Sequence, residues 1–355
     1  MIAGTVQVSS DQAPLVDRQF ESRKADHIRL SLDESNQSLG LSGFDQIQLI
    51  HNAFPEMDLA DVSLSTRSLG LDLPTPFLLS SMTAGHAEGV DLNRRFAKGA
   101  AQRGWLMGVG SQRKELFDPE AAKEWADVRK SAPNVRLLGN IGLSQLIQID
   151  LDGVKALVDS LEAVGMIVHL NPLQEALQPE GTPQFRNGLH KLEQISKALS
   201  IPVIVKETGC GLSEDSLVAL KNTGVTAVDV SGLGGTHWGR IEGGRSVEGS
   251  RHRRAANVFR NWGIPTVVSL SVARDLDLDY EVWGSGGVRS GLDAAKALAL
   301  GARIVGVAQP MLKAALESEE ALVTVMEDFE FELKVAMFCT GSKSVTELAN
   351  VKVGL

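Results

Sequence analysis

RLLGNIGLSQLIQIDLDGVKALVDSLEAVGMIVHL (136–170) decides the fold. Its two ends, RLLGN (136–140) and MIVHL (166–170), are short apolar runs without polar alternation, the pattern of parallel strands covered on both faces. Between them DGVKALVDSLEAVG (152–165) has helical spacing. Strand, helix and strand at this separation make a βαβ unit, whose crossover is right-handed.

The same alternation extends in both directions. FLLSS (77–81) and LMGVG (106–110) precede the unit, and PVIVKE (202–207), VTAVDVS (225–231), YEVWGSG (280–286) and RIVGVA (303–308) follow it, giving eight strands. The helical segments 92–104, 213–224 and 290–301 end on Gly104, Gly224 and Gly301, the residue type that follows helix C-termini. Eight units predict an α/β protein with a closed (β/α)8 TIM barrel rather than an open sheet. Residues 76–355 then make the barrel, with C-terminal helices at 311–338 and 343–351. Residues 21–75 form an N-terminal extension packed on it, and residues 1–20 a mobile tail. Two insertions break the rhythm, 171–188 after the fourth strand and 232–262 after the sixth; long loops on that side of a barrel are lids or binding loops.

Composition narrows the function. A formal charge of -9 over 355 residues argues against nucleic acid or an anionic membrane as partner, because both need a basic surface. The two cysteines, Cys210 and Cys339, lack metal-site or disulfide-framework spacing. With no apolar run of spanning length and no signal-peptide pattern, a cytoplasmic enzyme is expected.

The strand ends, where barrel enzymes carry their chemistry, are polar. They supply Ser80, Ser81 and Thr83; Ser111, Gln112 and Arg113; Asn140; His169, Asn171, Gln174 and Glu175; Lys206 and Glu207; Asp229, Ser231 and Thr236. Any one of these is as readily a helix cap, but a Lys closing the apolar run PVIVK needs a partner, either a ligand or a structural carboxylate. The turns Trp283-Gly284-Ser285-Gly286-Gly287-Val288-Arg289 and Gly306-Val307-Ala308-Gln309 stand after strands 7 and 8, each entering a helix. Backbone N–H groups freed by glycine there, with the helix dipole, predict a phosphate cup. A second glycine turn, Gly232-Leu233-Gly234-Gly235-Thr236, permits close ligand approach or hinges the long loop. Glu175 is a candidate Mg²⁺ ligand or a solvated loop residue; Arg23 and Lys24 are candidate diphosphate anchors or a solvated basic pair.

RKADH (23–27), SSMTAG (80–85), GVGSQR (108–113), GNIG (139–142), HLNPLQE (169–175), VKETG (205–209), SGLGGTHW (231–238) and GSGGVRSG (284–291) occur in an order that resembles the type 2 isopentenyl diphosphate isomerases, FMN-dependent barrels. The resemblance covers the chain from about residue 22. It implies FMN contacts at Met82, Thr83, Ala84, Ser111, Asn140, Lys206, Ser231 and Thr236, with the phosphate on Gly287, Val288, Arg289, Ala308 and Gln309. It implies substrate binding by Arg23, Lys24, His27, Ser111, Gln112, Arg113 and Gln174, a catalytic set of Gln174, His169, Asn171 and Lys206, and Mg²⁺ on Glu175. Ala84 departs from the family, which has glycine there, and puts a methyl group in a turn against the flavin. The implied reaction is a proton shift from isopentenyl to dimethylallyl diphosphate over reduced FMN, with NADPH as reductant and a homotetramer or homo-octamer as the assembly. The resemblance gives the substrate as a small diphosphate.

Two alternatives share the barrel and cup. One is an FMN-dependent oxidoreductase of the hydroxy-acid oxidase or dihydroorotate dehydrogenase type. The first needs a His before the strand-6 glycines, where none stands, and the second a strand-end Cys base, which the sequence is read as lacking. The other is a non-catalytic phosphate-ligand barrel.

Overall fold

A computed structural model describes residues 25–82 and 87–354. The eight expected strands all form: β1 Phe77–Leu79, β2 Leu106–Gly108, β3 Arg136–Gly142, β4 Gly165–Leu170, β5 Val203–Glu207, β6 Ala227–Asp229, β7 Glu281–Trp283 and β8 Val305–Val307. All pairings are parallel, in the order β7-β6-β5-β4-β3-β2-β1-β8. The sheet closes where Arg303 N donates to Val282 O at 2.7 Å and Gly284 N to Ile304 O at 2.9 Å. β1, β2, β6, β7 and β8 are three residues long, so Ser80, Ser81, Ser111, Gln112, Arg113, Ser231 and Thr236 lie beyond their last residues, while Asp229 closes β6.

Closure explains the unbroken apolar runs. One face of each strand meets the surrounding helices, and the other points into the barrel, where Leu78, Leu106, Leu138, Ile167, Ile204, Ala227, Trp283 and Ile304 pack together. Leu69 and Leu73, from the antiparallel hairpin Thr66–Ser68 and Leu71–Leu73, join that cluster and plug the barrel floor. Glu281 fixes the plug by accepting from Leu69 N at 3.2 Å and from the Ser68 hydroxyl. The site therefore occupies the other end.

Helices follow the predicted segments with trimmed ends: Ala87–Arg103, Leu151–Leu161, Glu214–Leu220 and Gly291–Ala299. Gly104, Gly224 and Gly301 adopt positive φ, as expected, whereas Glu162 takes the left-handed position after Leu151–Leu161. The helix expected over 311–338 is two, Gln309–Glu317 and Glu319–Thr340, because Ser318 leaves the helical conformation and caps the second by accepting from Ala321 N. The insertion after β4 folds as the helix Pro172–Leu177, and the one after β6 as Trp238–Arg245 and Arg251–Val258.

The extension crosses the barrel twice. Residues 25–32 are helical and lie over the mouth, and Gln48–Leu49 pairs antiparallel with Val353–Gly354 near the chain's far end.

Candidate active site

Two contiguous concavities open at the C-terminal ends of the strands, one of about 970 Å³ and one of about 820 Å³. Both are lined by His27, Ser81, Met82, Lys206, Thr208 and Trp238. The first is a cup made largely of main chain, the second a chamber made of side chains.

In the cup, Gly286 and Gly287 have φ of 97° and 78°, a conformation side-chain-bearing residues adopt at a cost. A Cβ on Gly235 meets Gly287 N at 2.9 Å, and one on Gly306 meets Ser80 Oγ at 2.5 Å, so the cradle admits only glycine without rearrangement. Asp229, read as a polar strand end, is structural: Ser285 Oγ donates to both its carboxylate oxygens at 2.9 and 2.8 Å, and Ser231 N to one of them at 3.1 Å. Thr266 Oγ1 holds Gly286 O at 2.6 Å. Arg289 donates to Gly234 O at 2.7 Å and Gly287 O at 3.2 Å, and burial lowers its pKa. Ala308 caps the helix Gln309–Glu317 with no side-chain acceptor, which leaves its first N–H groups for a ligand. Val288, Ala308 and Gln309 complete the wall.

Above the phosphate end, Lys206 is 8% exposed and donates to Glu207 O at 2.6 Å and Ser231 Oγ at 3.0 Å. No carboxylate forms an ion pair with it among the described residues, so the structural-pair alternative for this Lys is not what the fold uses. Ser231 holds a φ of 36°. The hydroxyls of Ser80 and Ser81, which line the same cup, are buried and lack protein partners. A glycine cradle for phosphate, a caged ammonium and orphaned hydroxyls along one wall fit a flavin mononucleotide, whose ring needs donors along its polar edge.

Two strings of hydrogen bonds run through the chamber, each fixing the orientation of its members. Asn140 Nδ2 donates to Val109 O at 3.0 Å, so its Oδ1 accepts from His169 Nδ1 at 2.9 Å. That sets the imidazole with Nδ1 protonated and Nε2 as the remaining nitrogen. Asn171 Nδ2 donates to Gln174 Oε1 and Glu175 Oε1, both at 3.1 Å, while Asn171 Oδ1 is buried without a partner. Glu175 Oε2 accepts from Thr182 N at 2.7 Å. Gln174 Nε2 in turn donates to Glu242 Oε1 at 2.8 Å.

Glu242 is the hub. It is 0% exposed and accepts also from His27 Nε2 at 3.0 Å and from Arg245 at 2.5 Å. Burial alone raises a carboxyl pKa, but the His27, Arg245 and Gln174 contacts outweigh it and hold Glu242 at about 2. The helix Trp238–Arg245 that carries it is capped by His237, whose Nδ1 accepts from Arg240 N at 3.2 Å and whose Nε2 lies 3.0 Å from Trp262 O.

Of the residues singled out from sequence, the two concavities bring together His27, Met82, Ser111, Arg113, Asn140, His169, Asn171, Gln174, Glu175, Lys206, Ser231, Thr236, Gly287, Val288, Arg289, Ala308 and Gln309. Ser111 and Asn140 line the chamber rather than the cup. Gln112 corrects the substrate-contact reading. It is buried outside both, donating to Leu157 O at 2.9 Å and accepting from Asn140 N at 2.9 Å, because its side chain turns back between strand and helix. Arg23, Lys24, Thr83 and Ala84 lie outside the described residues. Cys210 also needs correction, since it does stand in the loop after β5. Burial and then the nearby Glu207 charge push its thiol far up, the opposite of what a base needs.

Sequence reasoning missed Glu242, Gln37 and Trp238. Gln37, from the extension, donates to Thr236 Oγ1 at 3.0 Å and accepts from Arg289 at 3.3 Å. Glu242 contacts a His 215 residues away, which no local pattern signals.

Residues 169–354 match the family model described as FMN-dependent dehydrogenase. The fold is similar to a flavocytochrome b2 variant with sulfite bound (TM-score 0.67, 21% identity, 96% of this chain and 85% of that one) and to a mandelate oxidase mutant with an FMN adduct (0.60, 17%, 95% and 96%). Among curated proteins, the chain is 53% identical to the isopentenyl-diphosphate delta-isomerase of Bdellovibrio bacteriovorus over 94% of its own length and 98% of the relative's. It is 51% identical to that of Legionella pneumophila strain Corby, over 93% and 96%, and 42% identical to that of Halobacterium salinarum, over 94% and 93%. With its flavin-fitting cup and a match running nearly end to end, the chain belongs to the FMN-dependent, type 2 isopentenyl-diphosphate delta-isomerases.

Proposed function

We propose that this protein converts isopentenyl diphosphate to dimethylallyl diphosphate on FMN bound in the cup. The observation that carries the reading is the chamber itself: a set of hydrogen-bonded amides, imidazoles and carboxylates that shares Lys206, Met82 and Ser81 with the cup, where the flavin would bind. When reduced, FMN supplies an electron-rich ring able to stabilise positive charge on the substrate and to carry a proton.

The residues position and insulate. Arg113 and the Asn171 amide carbonyl face the chamber, the first for the diphosphate, the second for a metal-bound water or cation. Glu175 would hold Mg²⁺ in this reading, and the ion would neutralise charge on the diphosphate; among the described residues no three-ligand cluster competes with it. Gln174 is held by Glu242 with its amide oxygen toward Asn171, and His169 is oriented through Nδ1 by Asn140; these two are the proton-handling groups. Trp238 and Met82 wall the site from water, as protonation of an alkene requires. Lys206 would balance negative charge on the ring, and Thr83 and Ala84 are further FMN-binding residues in this reading. Arg23 and Lys24 are diphosphate-binding residues in this reading, and the assembly is a homotetramer or homo-octamer. NADPH is the reductant and the cytoplasm the location.

The oxidoreductase reading is disfavoured by local geometry. The residue before the strand-6 glycines is Ser231, and the nearby His237 has both ring nitrogens engaged, Nδ1 in capping a helix and Nε2 against Trp262 O. Incubation with FMN, NADPH, Mg²⁺ and isopentenyl diphosphate under anaerobic conditions tests the proposal. Dimethylallyl diphosphate should form without net consumption of NADPH. Oxidation of a hydroxy acid instead, or no allylic product, overturns it.

A further inference from the structure

The helix Trp238–Arg245 has two working faces. Trp238 and Glu242, one turn apart, serve the chamber; Arg240, Gly243 and Gly244 line a separate concavity of about 680 Å³ on the other side. Arg253 and Arg260 also line it.

These guanidiniums are fixed but not neutralised. Arg240 donates to Arg260 O and Gln37 O at 2.7 and 2.6 Å and to Asn261 Oδ1 at 2.7 Å. Arg253 donates one nitrogen to Gly243 O at 2.8 Å, and Arg260 reaches Ser35 O at 3.3 Å. None of the three forms an ion pair among the described residues, and the remaining nitrogens of Arg253 and Arg260 make no hydrogen bond there. Asp33, the one carboxylate in the wall, is turned to Ser35 N at 2.8 Å. Residues 240–260 hold six arginines and two glutamates in a chain whose net charge is -9. Of those six, Arg245 alone forms an ion pair among the described residues, with Glu242 and Glu180. Burial and then the Arg260 charge lower the Arg240 pKa, and a bound anion would offset the second of these.

Forked donors held in place by main-chain carbonyls, converging on a space larger than one carboxylate needs, suit phosphate oxygens. We propose that this concavity is a second anion site, taking the phosphate or diphosphate group of a small phosphorylated ligand other than the substrate bound at the barrel mouth. A dinucleotide and an isoprenoid diphosphate both carry that group. A ligand there presses on the helix that holds Glu242, so its occupancy reaches the chamber through one turn of backbone.

Calorimetric titration of the FMN-loaded full chain with inorganic pyrophosphate at constant ionic strength tests this. The wild type should show two classes of site. R253Q/R260Q should weaken one class at least tenfold while FMN content and kcat at saturating isopentenyl diphosphate stay unchanged. R260Q alone, which gives up one long hydrogen bond, should weaken the same class and covers the case where the double variant misfolds. Competition separates the sources: NADP⁺ displacing pyrophosphate from that class identifies a dinucleotide, and dimethylallyl diphosphate doing so an isoprenoid. A single class in the wild type, titrations unchanged in both variants, or displacement by neither competitor overturns the proposal.

Discussion

The cup and the chamber sit side by side and share six residues, yet they are built differently. Main-chain atoms and glycines shape the cup, and Asp229, Thr266 and Arg289 stiffen it by bonding backbone or loop hydroxyls. The chamber has the reverse design: the side chain of Asn140 orients His169, and those of Asn171, Gln174 and Glu242 orient one another. A backbone site depends on space at a few positions and holds a cofactor rigidly. A side-chain network depends on every member and can be tuned for proton transfer.

Substitutions should separate the two. The largest effect is expected in the cup: Gly287→Ala forces an L-residue to a φ of 78° and puts a Cβ 2.7 Å from Gly234 carbonyl carbon. FMN affinity should fall by about a hundredfold or more, seen as loss of the yellow colour on gel filtration, with the barrel still folded by circular dichroism. If Gly287→Ala binds FMN normally, the cup is not backbone-built in the sense argued.

Next in size is the hub. Glu242→Gln keeps the shape but removes the charge that His27, Gln174 and Arg245 face. Turnover should drop on the order of a hundredfold while FMN content is unchanged, the mirror image of Gly287→Ala. His169→Ala and Gln174→Ala should fall in the same direction; wild-type kcat in all three variants breaks the assignment of proton handling to the chamber. A smaller change is expected from Glu175→Gln, which should raise the Mg²⁺ concentration for half-maximal rate about tenfold with kcat at saturating Mg²⁺ little altered.

The smallest effect concerns the helix cap. Burial lowers the His237 pKa below its ordinary 6.5. The folded state therefore binds fewer protons, so the contribution is present above pH 6.5 and lost as pH falls below it. His237→Asn keeps a capping acceptor that does not titrate, and its Tm should fall less steeply on acidification than that of the wild type. Parallel Tm curves would show that the cap does not sense protons.

Legibility divided along the same line. The cup could be read because a glycine cluster placed after strands 7 and 8 has few other uses, and Gly287, Val288, Arg289, Ala308 and Gln309 all line it. The eight strands could be read because burial on both faces leaves uninterrupted apolar runs. In the chamber, the residue types at strand ends were legible but their partners were not. The resemblance made Gln112 a substrate contact, and only its bond to Leu157 O shows it turned away to hold Asn140. Glu242 sits in IEGG with nothing local to mark it; its meaning comes from His27 and Gln174, supplied by other elements. Cys210 was passed over because β5 ends at Glu207, three residues before it.

The extension that roofs the cup has a bearing on how the protein is made. Gln37 bonds Arg289, 252 residues later in the chain, and Gln48–Leu49 pairs with Val353–Gly354. A ribosome synthesising from the N-terminus must hold the roof segment idle while nearly all eight strands emerge, so flavin capture falls after synthesis of the barrel, and a truncated product lacking β7 and β8 has no pocket in which to sequester the cofactor.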